Sequence, residues 1–126
     1  MTQEISKWSE TLYERLGGTE GIQRIANDLV DNHAANPRIS RRFAETDLDK
    51  LKKGAAEFFI SGTGGPNVYA GKDMVSAHKG MNIGNDEFMA VLDDAMAALE
   101  KNNVGQRERE EVIYILLSLK GDVVLQ

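Results

Sequence analysis

"GGPNVYAGKDMVSAHKGMNI" runs from Gly64 to Ile83 and holds one of the chain's two histidines. Its opening is a breaker, because two glycines, a proline and an asparagine do not continue a helix. Tyr69 follows in a loop. Met74 and His78 then stand four residues apart, which puts both on one face of a short helix. Ser76, Ala77 and Gly80 are small and leave space beside the imidazole for a bulky planar group. His78 therefore has three readings: packed core residue, surface residue or ligand. The glycines do not make a phosphate cradle. No strand leads into them and no Gly-Lys-Ser/Thr ends them.

On both sides of this stretch the helical period dominates. Trp8 to Leu16 reads as a short helix ended by Gly17-Gly18. Thr19 is the expected cap of the next helix. Ile22, Ile25, Ala26, Leu29 and Val30 form its apolar stripe, which stops near Asn36-Pro37 because the residue before proline leaves helical geometry. A short turn carries Ile39 and Phe43. Thr46 or Asp47 is expected to open a helix through Leu51, Ala55, Phe58 and Phe59, and "GTGGPN" (Gly62 to Asn67) ends it. Beyond His78, Asn85 or Asp86 is expected to cap a long helix with Phe88, Val91, Leu92, Ala95 and Leu99 inward. "NNVG" separates it from a final helix carrying Val112, Ile115, Leu116 and Leu119. Val123 to Leu125 is too short and too terminal to count as a strand. The expectation is an all-α fold of about five or six helices. It forms one domain over residues 1–126, with 1–10 as an N-terminal extension or short pre-helix.

Composition narrows the chemistry. A length of 126 residues suits one domain. Apolar residues make up 41% and charged residues 28%, as in ordinary globular proteins. A net charge of −5 disfavours a nucleic-acid partner. With no cysteine, disulfides, thiolate metal sites and cysteine nucleophiles are excluded. No apolar run approaches the ~20 residues of a membrane span. "MTQEISKWSE" does not read as a secretory signal, so a cytoplasmic location is expected. Asp93-Asp94 and Glu110-Glu111 are adjacent pairs whose members point to different helix faces, and they read as solvated surface. "KLKKG" (Lys50 to Gly54) reads either as a wet helix edge or as a clamp for a small anionic group. A lone histidine does not make a zinc site, which needs three or four ligands. One axial histidine is enough for haem, because the porphyrin supplies four nitrogens.

From Leu12 to Val123 the chain resembles the group I truncated haemoglobins. The resemblance is carried, in order, by "LYERLGG", "NPRISRRFAETDL", "EFF" with "GGPNVYAG", and "DMVSAHKGMNI". It implies a two-over-two helical sandwich around non-covalent haem b, with His78 as the proximal iron ligand. Phe43 corresponds to the aromatic that wedges the haem. Leu51, Ala55 and Phe59 fall at lining positions of the distal helix, with Val30 opposite. Thr46, Lys50 and Tyr69 fall where the family often meets the propionates, and Lys52 or Lys53 is expected to help. Met74, Ile83, Phe88 and Leu116 complete the expected lining. The implied function is binding of oxygen, carbon monoxide or nitric oxide, as in oxygen transport. Nitric oxide or peroxide detoxification, or gas or redox sensing, is the alternative. A reductase partner, and a monomer or weak dimer, go with it.

The sequence departs from that family at the distal side. Leu29-Val30 stands where a Phe-Tyr pair is usual, and Ala55 where glutamine is common. Leu51 is apolar too. A donor to charged oxygen contributes ~1.5–3 kcal/mol, so its loss implies an oxygen affinity lower by roughly 10- to 150-fold. Gly54 stands where some relatives carry a sixth iron ligand. Leu119 occupies the region where some attach haem through histidine. His33 continues the stripe of its helix. It reads as a hydrogen-bonded core or edge histidine, or as a distal group that reaches the ligand.

Overall fold

A computed structural model describes residues 10–126; Trp8 and all of the N-terminal extension but Glu10 lie outside the described residues. These fold as α1 (Leu12–Arg15), α2 (Gly18–Ala35), a 3₁₀ turn (Ser40–Phe43), α3 (Leu48–Gly62), α4 (Met74–His78), α5 (Asn85–Lys101), α6 (Gln106–Ser118) and α7 (Lys120–Val123). Among the described residues the one extended pairing is an isolated parallel bridge between Ile83 and Val124. The all-α expectation holds, with one helix more than expected because the chain after Leu119 winds a further turn. No described helix is long and apolar enough to cross a membrane.

The helices start and stop for local reasons. Thr11 accepts the Glu14 N–H at 3.2 Å, and the Glu14 carboxylate accepts the Thr11 N–H at 3.2 Å. This reciprocal cap starts α1 at Leu12. Gly17 turns the chain at φ +98°, a conformation that glycine adopts without a side-chain clash. The same residue occupies the cap of α2, so Thr19 is not the cap expected from the sequence. Thr19 already has helical geometry, and its hydroxyl bonds the Tyr13 hydroxyl at 2.6 Å. Asp47 caps α3 through the Lys50 N–H. At the far end, a Cβ on Gly65 would lie 2.5 Å from the Tyr13 ring, so a glycine there lets the loop lie against α1. The cap of α5 is also displaced from the expected Asn85 or Asp86. It falls on Gly84, whose N–H is taken by the Glu87 carboxylate at 3.0 Å.

α2 packs on α3, α5 packs on α6, and α2 also packs on α5. Two helix pairs thus stack as a two-over-two sandwich. Leu16, Ile22, Ile25, Leu29, Ile60, Leu99 and Val112 form the shared core. Arg15 ties α1 to α6 by bonding Glu108 at 2.6 Å and Glu111 at 2.5 Å. The adjacent carboxylates are not all solvated surface, as the sequence suggested. Asp93 and Glu110 are exposed, but Glu111 is held by Arg15 and Asp94 is buried. One residue along a helix is a turn of about 100°, enough to carry Asp94 under α2.

Candidate functional site: a histidine before a wide apolar surface

His78 is the last residue of α4. Its Nδ1 lies 2.8 Å from the carbonyl oxygen of Met74. A carbonyl only accepts, so Nδ1 carries a proton, and in the neutral ring Nε2 keeps its lone pair. The carbonyl partner lies one turn back on the same helix. Ring orientation and tautomer are fixed together. α4 packs on α7, and the loop beyond it is pinned by the chain's last residues. Leu125 N–H donates to the Ile83 carbonyl at 2.9 Å, and Asn82 N–H to Gln126 at 3.0 Å. This anchoring of the histidine loop was missed in the sequence, where Val123 to Leu125 looked too short to pair.

Several apolar side chains on the helices are only half-buried. Leu51, Ala55, Phe58 and Phe59 on α3, Met74 on α4, and Ile115 and Leu116 on α6 all share this state. Val30, Ile83 and Phe88 are buried in protein instead. Phe43 is half-buried at the end of the 3₁₀ turn. At the polar edge, Thr46, Lys50 and Lys53 are exposed. Lys52 is not available to share their task, because Asp31 holds its ammonium at 2.8 Å. Tyr69 packs edge-on against Phe58 and commits its one hydroxyl proton to the Lys72 carbonyl at 2.6 Å. An anionic group would have to compete for that proton.

Arg42, next to Phe43, forms a clasp that sequence reading also missed. Its guanidinium pairs with Glu87 on α5 and donates to the Met81 carbonyl at 3.1 Å. The 3₁₀ turn is thereby tied to the loop after His78. The Arg42 hydrogen bond and the Gly84 N–H together hold the Glu87 carboxyl down at about 2, against an ordinary 4.5. A depressed carboxyl pKa gives stability that is fully present above pH 4.5 and is lost as pH falls toward 2. Arg42→Ala should cost about 2 kcal/mol at neutral pH. Urea midpoints at pH 7 and pH 2.5 check this: the gap between variant and wild type should narrow in acid, and a gap independent of pH would contradict it.

His33 is 8% exposed on α2, as expected of a core or edge histidine. Its Nδ1 lies 2.7 Å from one carboxylate oxygen of Asp94, whose other oxygen accepts from Asn36 at 3.1 Å. The imidazole stacks on Phe43, with centroids 5.6 Å apart and planes 15° from parallel. Asp94 was missed because adjacent carboxylates look alike until one of them is buried.

Two stacked helix pairs, with a histidine closing a short helix between them in sequence, have the architecture of a globin of the shortened class. Residues 11–124 match the bacterial-like globins, and the chain belongs to that family. It is 31% identical over 115 residues to the group 1 truncated hemoglobin of Tetrahymena pyriformis, covering 91% of this chain and 95% of that one. The crystal structure of truncated hemoglobin from that organism in its Fe(III) form superposes with a TM-score of 0.89, covering 93% of this chain and 100% of the other. The 2/2 hemoglobin of a Synechococcus species, in the cyanomet state and with covalently attached heme, superposes with a TM-score of 0.84 at 27% identity, covering 91% and 98%.

Proposed function

We propose that this globin holds one haem b non-covalently, with His78 Nε2 as the axial iron ligand, and binds small diatomic gases on the opposite face. The observation that carries this is the bond from His78 Nδ1 to the Met74 carbonyl. In the neutral ring it leaves the Nε2 lone pair free, and half-buried apolar side chains on α3, α4 and α6 leave apolar surface for a cofactor. The residues present fit the group. A porphyrin is wide, flat and apolar except at its propionates. Leu51, Phe58, Phe59, Met74 and Leu116 suit its faces, and Phe43 suits its edge. Among the described residues no three His, Asp or Glu side chains converge as a metal site, so an iron that brings four nitrogens of its own suits a lone histidine. When bound, haem supplies an iron with one axial position open to a gas.

The chain's own side chains do the rest. His78 supplies the axial nitrogen and Met74 orients it. Leu51 and Ala55 exclude water and offer no donor, and the buried Val30 adds none. That favours ligands needing little charge stabilisation and works against a lasting oxygen complex, so gas binding is preferred to nitric oxide turnover. Covalent attachment is disfavoured here. Leu119 brings no imidazole, and the chain's other histidine, His33, is held by Asp94. Lys50 and Lys53, both exposed on α3, are the cations assigned to the propionates. Exposed pairs contribute below about 1 kcal/mol each, so Lys50→Ala should speed haem transfer to an apo-acceptor by roughly two- to fivefold at low salt. An unchanged rate would remove Lys50 from the site.

Titration of the chain with hemin tests the whole reading. A Soret band saturating at one haem per chain, a red-shifted ferrous carbon monoxide form, and full extraction into acid-butanone are expected. A chain that gains no Soret band would overturn it.

A further inference from the structure

The geometry points to a positioning role for His33 and Asp94: together they hold the Phe43 ring in the orientation that seats the haem. The inference rests on the haem reading above. Phe43 ends a 3₁₀ turn that has no side-chain cap, so its own segment does little to fix it. Two contacts act on this turn from outside. Arg42 ties its backbone to Glu87, which leaves the neighbouring ring free to rotate. His33 addresses the ring itself, face to face at 5.6 Å and 15°.

A stack restrains a ring only if the stacking partner is itself held. His33 sits on α2, one turn after Val30, with 10% of its side chain exposed. Its plane is set by the bond to Asp94, and Asp94 is set in turn by Asn36. Asn32 adds a fourth point by donating to the Asp94 backbone carbonyl at 3.1 Å. The arrangement runs from α5 through α2 to the turn, and its last member is the aromatic that faces the cofactor. It also gives His33 a task other than binding iron. A carboxylate is specifically suited to the Asp94 position. It accepts from both His33 and Asn36, whereas a carboxamide oxygen would serve one and set an amide proton against the other.

The test uses the full chain loaded with haem. His33→Gln keeps a donor for Asp94 but removes the stacking ring; Phe43→Leu removes its partner. Both are made singly and together. Haem transfer to an apo-acceptor and the haem-methyl proton shifts of the ferric cyanide form are read. His33→Gln should raise the transfer rate roughly 3- to 10-fold, the scale of one aromatic pair, and shift the haem-methyl pattern. In the Phe43→Leu background the same change should act less than about twofold. Asp94→Asn, which keeps the imidazole, should move the haem-methyl pattern in the same direction. Arg38→Ala breaks the exposed Arg38–Asp93 pair between the loop after α2 and α5 and should leave the pattern unchanged, which separates positioning from general loosening. A wild-type chain that takes up no haem overturns the haem reading and this inference with it. A wild type that binds haem, with His33→Gln acting equally whether or not Phe43 is present, overturns this inference alone.

Discussion

His78→Ala should yield a folded chain that no longer keeps haem. His78 is half-buried at the end of a five-residue helix, and the hydrogen bond of its ring runs back within that helix. Removing it leaves the core of Leu16, Ile22, Ile60 and Leu99 intact, so far-UV circular dichroism should match the wild-type apoprotein. Haem would keep its apolar contacts but lose its axial nitrogen. Loss of an outer-shell partner alone typically costs a metal site 10- to 100-fold, and loss of the ligand itself should exceed that. Transfer to an apo-acceptor should therefore accelerate by about 100-fold or more. Added imidazole should restore the Soret position by filling the axial place. If the variant kept the wild-type spectrum and transfer rate without imidazole, His78 would not be the ligand.

The helices were legible because their signals are local. The stripe from Ile22 to Val30 and the breaks at Asn36-Pro37 and Gly62 to Asn67 need no distant partner to be read. The pairing of His78 with Met74 was legible for the same reason, since the two lie four residues apart on one face. What stayed hidden depends on contacts between segments far apart in the chain. Glu87 reads as one more acid near a helix start until Arg42 meets it from 45 residues away. Asp94 reads as surface until α2 covers it, and then its partner lies 61 residues away. The caps went wrong for a different reason. Thr19 and Asn85 are good capping residues in isolation, but Gly17 and Gly84 took the cap positions once the chain had turned. Lys52 shows the limit of reading charge from composition. It sits in the same basic run as Lys50 and Lys53, yet helix geometry turns it toward Asp31.

Val30→Tyr should slow oxygen release by roughly tenfold or more, the scale of one charge-assisted hydrogen bond. Oxygen bound to ferrous haem draws negative charge onto itself, and a phenol proton aimed at it lengthens its stay. The natural chain puts valine at that position, leucine at 51 and alanine at 55, so none of the three can donate. Its own oxygen release should be fast and its carbon monoxide binding little affected, since that ligand carries less charge. The substitution has a structural cost. Val30 is only 2% exposed, and a larger ring there must displace neighbours, an overpacking of about 1–3 kcal/mol. Ala55→Gln puts a donor on α3 instead, at a half-buried position, and it serves as the second test. Stopped-flow displacement of oxygen by carbon monoxide compares all three proteins. Slow release in the natural chain, unchanged by either substitution, would mean that a donor outside these three positions reaches the ligand. His33 would have to leave both Asp94 and its stack on Phe43 to do so. Lys53, exposed on α3 with a long flexible stem, would then be the first residue to replace.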